Sequence, residues 1–213
     1  MARRRQPTAR SSSRRPRPSA GTAAGFSAIE LLFVVALMTT ICGIAVPPMV
    51  GAVETLRAAG AARYVSTRLQ RARMEAVVRG ADVSVRFTTV GDTYEFATYV
   101  DGNRNGVLAR DILRGVDWRL GAVERLPANF VGVEFGVMPG LPAVDPGGVA
   151  PGADPIRLGA SSAATFTAAG TSSTGSLYIL GRNRRQYVVR VYGDTGKTRV
   201  LRFDEPSRLW KPI

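Results

Sequence analysis

Histidine is absent from this 213-residue chain, and cysteine occurs once, as Cys42. Without an imidazole there is no histidine-based zinc site and no Ser-His or Cys-His catalytic pair. A single thiol excludes an internal disulfide. Any enzymatic chemistry would have to run on lysine or carboxylates, and no pair of these stands out. Acidic residues are missing from the first 25 positions, which carry seven arginines: Arg3, Arg4, Arg5, Arg10, Arg14, Arg15 and Arg17. That stretch supplies seven of the 13 net positive charges and leaves the remainder moderately basic, at +6. Such a balance favours nucleic acid or anionic lipid as a neighbour and says little about the fold.

Charge nearly disappears in the next stretch. From Phe26 to Val53 the only charged side chain is Glu30. About 20 apolar residues cross a bilayer core, so the run is long enough to span. The Arg-, Ser- and Pro-rich segment before it predicts a cytoplasmic N-terminus and an extracytoplasmic C-terminal part. A secretory signal peptide would place small residues after the apolar run. Here the small-residue junction, Gly25-Phe26, lies in front of it, and Pro47-Pro48 lie towards its far end. A plain anchor does not explain Glu30, since a carboxylate deep in a membrane helix costs roughly 2.5–3.5 kcal/mol, less near the interface.

The stretch "GFSAIELL", residues 25 to 32, resembles the type IV prepilin signal shared by pilins and the pseudopilins of type II secretion. The resemblance implies cleavage between Gly25 and Phe26 by a membrane prepilin peptidase, followed by methylation of the new amine on Phe26. It also implies that Glu30 pairs with the N-terminal amine of a neighbouring subunit during assembly. An unpaired charge in low dielectric is strongly penalised, and Glu30 would stand one helical turn from Phe26. Pro47 falls where such proteins carry a helix-bending proline, predicting one bent helical rod from about Phe26 to Arg79.

Past the prolines, Val53, Leu56, Gly60, Val65, Leu69, Ala72 and Ala76 recur mostly three or four apart, predicting an amphipathic stripe. Arginines fill the other positions, and Gly80 is placed to cap the end. The period then changes to two. "ADVSVRF" and "TYEFATYV", separated by Gly91-Asp92, predict a hairpin. "NFVGVEFGV", "ATFTA", "SLYIL", "QYVVRVYG" and "KTRVLRF" are further strand candidates. Residues 136 to 163, with five prolines and many glycines, predict an irregular exposed loop. The fold class is therefore α+β: a long N-terminal helix, membrane-spanning then amphipathic, packed on a mainly antiparallel β-sheet head. The expected segments are a basic prepilin leader (1–25), the transmembrane part of the helix (26–53), its amphipathic part (54–80) and a globular β-rich head (81–213). "AARYVSTRLQRARMEAVVRGADVSVRF" narrows the resemblance to the H-type minor pseudopilins and FimT-like minor pilins.

Two further motifs are candidate sites. "DGNRNGVLARDI" contains D-x-N-x-N-G, the start of a calcium loop, with Asp101, Asn103 and Asn105 as oxygen donors and Gly106 at the bend. The bidentate acid expected at the twelfth position is Ile112, so Asp111, or more distantly Asp117, would have to substitute. The alternative is a turn built from Asn, Asp and Gly that needs no ion. The C-terminal part is basic. "GRNR", Gly181 to Arg184, matches the G-R-x-R motif through which some FimT-like pilins bind DNA, and "GKTR", Gly196 to Arg199, stands nearer the chain end. Arg182, Arg184, Arg185, Lys197 and Arg199 are the candidate phosphate contacts, and the alternative is a charged turn on a solvated strand. "GDTGKT" is not a phosphate loop, because position 191 is valine and a strand follows it. "GTSSTG" is no nucleophile elbow in a chain without histidine.

These readings imply a non-enzymatic subunit of a type II secretion pseudopilus, with a FimT-like pilin capturing DNA for uptake as the alternative. The implied partners are prepilin peptidase, other pilin or pseudopilin subunits and the bacterial inner membrane. Secreted cargo or DNA completes the set, according to the machine. No cofactor is implied apart from the calcium candidate.

Overall fold

The computed structural model describes residues 25–159 and 161–213. The expected leader, apart from Gly25, lies outside the described residues. The chain divides into two compact units, Met1–Ala45 and Val46–Ile213. In the first, helix α1 (Ala28–Arg79) begins, with Leu31 donating to the Ser27 carbonyl at 3.0 Å. Ser27 thus precedes the helix and Glu30 sits in its first turn, where the helix dipole favours an acid. Phe26 lies before the helix rather than in it. The side chains from Phe26 to Ala45 are exposed, and an 18-residue window of α1 is long and apolar enough to cross a membrane.

In the second unit α1 remains helical across Pro47 and Pro48 and ends at Arg79. Gly80 (φ +61°) closes it, and the Ala81 amide reaches the Ala76 carbonyl at 3.3 Å, the six-to-one bond of a Schellman cap. The buried face is Ala58, Ala61, Ala62, Val65, Leu69, Ala72 and Ala76. The expected stripe is correct from Val65 onward, half-buried at Gly60 beside the Phe130 ring, and wrong at its start. Val53 and Leu56 are exposed, Leu56 at 69%. Leu56 is nine residues from Val65, two and a half turns at 3.6 residues per turn, and so points the opposite way. Alanines take over the seam because the backbones approach closely there.

The hairpin of β1 (Val83–Val90) and β2 (Thr93–Val100) forms as expected, with Val90 opposite Thr93 across the Gly91-Asp92 turn. Next come α2 (Ala109–Leu113), β3 (Trp118–Arg125), α3 (Leu126–Asn129), β4 (Val133–Phe135), β5 (Ile156–Leu158) and β6 (Ala163–Phe166). The chain ends with β7 (Gly175–Gly181), β8 (Arg185–Tyr192), β9 (Lys197–Asp204) and β10 (Leu209–Pro212). One sheet has the order β3-β2-β1-β6. The other runs β10-β9-β8-β7, with β4 and β5 both paired to the remaining edge of β7. All these pairings are antiparallel. The buried side of α1 joins residues of both sheets in one core that includes Leu69, Val85, Phe96, Phe166, Leu177 and Val189.

A second apolar cluster corrects the expectation for residues 136 to 163. Met138 and Leu141 are buried against Tyr178, Val188, Leu201 and Phe203. The glutamine Gln186, 1% exposed, fastens this segment to the sheet. It accepts from the Met138 amide at 2.8 Å and donates to the carbonyls of Gly136 (3.1 Å) and Ile179 (3.1 Å). The prolines and glycines make the path irregular, but buried apolar contacts hold it down. β5 lies inside the same expected loop.

Candidate functional site

At the N-terminal junction, Gly25 has open space around it, with nothing within 4 Å of where a Cβ would sit. Phe26 is 81% exposed and Glu30 is exposed. Both are presented outward at the start of a helix whose following side chains are apolar, available to a processing enzyme or a second chain.

The Asp101 loop is held by its carboxylates. Asp101 accepts from the Asn103, Arg104 and Gly106 amides at 3.0, 2.8 and 2.7 Å. Asp117 accepts from the Gly102 and Leu108 amides at 3.0 and 2.8 Å. Asp111 accepts from the Asn105 side chain at 3.0 Å, and this bond, aided by Arg110, holds its carboxyl below the usual carboxylate range. The three aspartates are buried, at 4%, 2% and 4% exposure for Asp101, Asp117 and Asp111. Buried acceptors need donors; backbone amides supply them to Asp101 and Asp117, and the Asn105 side chain to Asp111. Asn105 turns its amide nitrogen to Asp111, while its own amide donates to Asn103 Oδ1 at 3.3 Å. The side-chain oxygens of Asp101 and Asn103 are thus engaged in building the loop. Among the described residues no group of three or more Cys, Asp or Glu side chains converges as a metal site. Asp117, the more remote substitute in the sequence, is as much a part of the loop as Asp111.

The basic candidates do not form one site. Arg182 and Arg184 lie in the turn between β7 and β8, and Arg185 starts β8. Lys197 and Arg199 start β9, with Lys197 opposite Tyr192 at the far end of β8. Seven steps along a strand separate the two ends by about 24 Å. Successive turns of a meander fall at opposite ends of the sheet, which linear proximity hides. The "GKTR" turn also leans on α1. Gln70 donates to the Gly196 carbonyl at 3.3 Å and to Thr198 at 3.0 Å, and the Ser66 and Thr198 hydroxyls meet at 2.6 Å.

The β7–β8 turn is exposed and locally strained. Asn183 and Arg184 have φ of 53° and 57°, the two left-handed central residues of a type I′ turn. The second such position ordinarily calls for glycine, so Arg184 is a costly choice, of order 1 kcal/mol. Arg182, Arg184 and Arg185 are exposed. Arg184 reaches Glu205 at 3.5 Å, with both side chains more than half exposed. The Asn183 side chain donates to Glu54 of α1. The Arg182 side chain crosses Gly132 where a Cβ would lie 2.4 Å from its Nε, and it lines a depression with Arg57. Arg57 was not among the expected contacts. Its only sequence signal was an arginine soon after the apolar run, which does not identify a neighbour 125 residues away.

A structural cluster on α1 was also missed. Arg68 and the Tyr64 hydroxyl both meet the Glu124 carboxylate on β3, and Arg68 Nε donates to Tyr64 at 3.2 Å. Burial, reinforced by the Glu124 bond, raises the Tyr64 pKa. The cluster ties α1 to the edge of the first sheet.

Comparison with known proteins gives a family and a solved structure. The family model described as type II transport protein GspH matches residues 61–195. The minor pseudopilin EpsH from the Type 2 Secretion System of Vibrio cholerae is similar at 17% identity and a TM-score of 0.43, over 68% of this chain and 97% of that one. No curated protein matches.

Proposed function

Because the chain belongs to the GspH family of type II transport proteins, we propose that it is a minor pseudopilin, a structural subunit of a type II secretion pseudopilus. The family match is the observation that carries this reading. Prepilin peptidase cuts between Gly25 and Phe26 on the cytoplasmic side and methylates the amine of Phe26. The apolar part of α1 then serves as a single-pass inner-membrane anchor, with residues 81–213 as a head outside the cytoplasm. During assembly Glu30 meets the trimmed amine of a neighbouring subunit, replacing an unpaired carboxylate with an ion pair in low dielectric. Its exposure at the start of α1, in a stretch with no other charge up to Val53, supports that role. The protein's work is positioning rather than catalysis, and its partners are other pseudopilins and secreted cargo.

Mass spectrometry of the membrane-extracted protein is expected to find methylated Phe26 at the N-terminus. An intact leader would reduce the protein to a plain anchor. Replacing Glu30 with Gln should leave membrane insertion unchanged and abolish incorporation into filaments; normal incorporation would refute the pairing. The uptake alternative draws on the exposed Arg182–Arg185 turn alone, because Lys197 and Arg199 stand at the other end of β8. On the secretion reading, the full chain leaves a short DNA duplex unshifted at physiological salt. A shift lost steeply with added salt would favour uptake.

A further inference from the structure

Thr198 faces α1 through its bonds to Ser66 and Gln70, so its neighbours Lys197 and Arg199 point to the outer face of the second sheet. There they join cations that chain order hides. Strand pairing sets Arg157 of β5 opposite Ser176 of β7, Ser176 opposite Arg190 of β8, and Arg190 opposite Arg199 of β9. Directly opposed residues share a face, so three guanidinium groups stand in one row across four strands, roughly 14 Å from end to end. Like charges set opposite each other across strands are destabilising, and Arg190 and Arg199 are such a pair.

One acid answers the row. Asp145, on the segment that crosses this face, pairs with Arg190 Nη2 at 2.5 Å. Among the described residues Arg157, Lys197 and Arg199 form no ion pair. Asp154 is turned to the Ile156 amide at 2.9 Å, and Asp194 stands exposed in the β8–β9 turn. An open-mouthed cavity of about 240 Å³ is lined by Arg157, Arg190 and Asp145. Donors dominate its walls. Arg157 commits Nη1 to the Ala150 and Val149 carbonyls at 2.6 and 3.4 Å, and its Nε and Nη2 remain. Ser176 Oγ accepts from Arg190 Nη1 at 3.4 Å, and Thr174 Oγ1 accepts from the Gly193 amide at 3.0 Å. Each hydroxyl keeps its own proton to donate. Arg190 Nε is buried with no acceptor among the described residues.

A space rich in donors and short of acceptors suits an anion, and its size and walls select which. The volume takes one side chain, not a helix or a duplex. Asp145 shows that a carboxylate fits a guanidinium of this row. Val144 and Val149 also line the cavity, offering apolar contact to the methylene stem that an acidic side chain has and an inorganic phosphate lacks.

We propose that this face binds an acidic, extended segment of a partner protein, one carboxylate entering the cavity beside Arg157 and others meeting Arg199 and Lys197. Charge-assisted hydrogen bonds supply the attraction. Asp145 is the resident carboxylate, and the incoming ones take the cations it leaves unpaired. The site lies wholly within the unit Val46–Ile213 and stands or falls apart from the anchor.

The test titrates the full chain, in neutral detergent micelles at about 50 mM salt, against a fluorescein-labelled, amide-terminated hexaglutamate peptide, read by anisotropy. Arg157→Gln with Arg199→Gln should weaken binding about tenfold or more. Arg182→Gln with Arg185→Gln removes the same charge at the β7–β8 turn and should change binding less than about twofold. Asp145→Asn should tighten it several-fold by removing the resident acid. Should the double variant at Arg157 and Arg199 fail to fold, Arg199→Gln alone, which relieves the opposition to Arg190 and so keeps Tm, should still weaken binding about threefold. Equal weakening by the two double variants would reduce the effect to net charge and overturn the proposal, as would no binding by the unaltered chain. Displacement of the peptide by an equal concentration of inorganic phosphate would make this a free-anion site instead. Displacement by a DNA duplex that needs the same two arginines would assign the face to nucleic acid.

Discussion

Asp101 shows how one side chain organises a loop. Its two oxygens take three backbone amides within five residues, so Asp101→Ala should cost about 1–3 kcal/mol, measured by denaturant unfolding of the full chain in detergent. Since amides already satisfy these carboxylates, added calcium should leave Tm unchanged; a clear rise would reinstate an ion. The titrating acids set the pH response. Asp111 is lowered by its Asn105 bond, and Asp204 by bonds from Lys211 and Ser207. Stability from a lowered carboxyl is present above its unfolded value, near 3.8, and is lost as pH falls through its folded value. Asp82 has the opposite sign: burial, then the charge of Asp101, raises it despite the Ala168 amide. Its penalty is relieved on acidification. Asp82→Asn should therefore stabilise the protein at neutral pH and steepen the loss as pH falls through the raised folded value towards 3.8, with no further effect below that, read as Tm against pH.

Helix α1 carries different jobs on different faces. Leu69 is fully buried between the sheets, so Leu69→Ala should cost about 2–5 kcal/mol. Leu56, only 13 residues earlier and 69% exposed, should cost well under 1 kcal/mol when changed to Ala. Equal losses would mean the buried face runs as the apolar spacing suggests rather than along the alanines. Close approach explains the alanine seam. A Cβ at Gly181 of β7 would lie 2.7 Å from the Ala58 Cβ, so Gly181→Ala should destabilise by about 1–3 kcal/mol through overpacking.

Across the whole molecule, one helix serves two environments. From Ala28 its side chains are exposed and apolar, suited to lipid and to other helices; from Ala58 it contributes a buried face to the head. The head's two sheets share that face as their core. Its second apolar cluster, under the segment around Met138 and Leu141, closes the outer side of the β7–β10 sheet. Gln186 joins the two, and Gln186→Leu should leave the Met138 amide without its acceptor. Thermal unfolding should fall, and proteolysis within residues 139–153 should accelerate, if that side chain is the fastener.

Periodicity made much of this legible along the chain: the apolar run with its single acid, the switch from helical to alternating pattern, the Gly91-Asp92 hairpin and the Gly80 cap all rest on neighbours within a few residues. Strands β3, β5 and β10 were not legible, because β3 and β10 are mostly exposed edges and β5 is three residues within a stretch rich in glycine and proline. Nor was the burial of Met138 and Leu141 under so many glycines and prolines. Tertiary structure alone decided which side of α1 goes inward ahead of Val65, where close backbone approach selects Ala58, Ala61 and Ala62 over Leu56. It alone parted Arg182 from Lys197 and set Arg182 beside Arg57, because antiparallel strands carry adjacent turns to opposite ends and bring distant residues together.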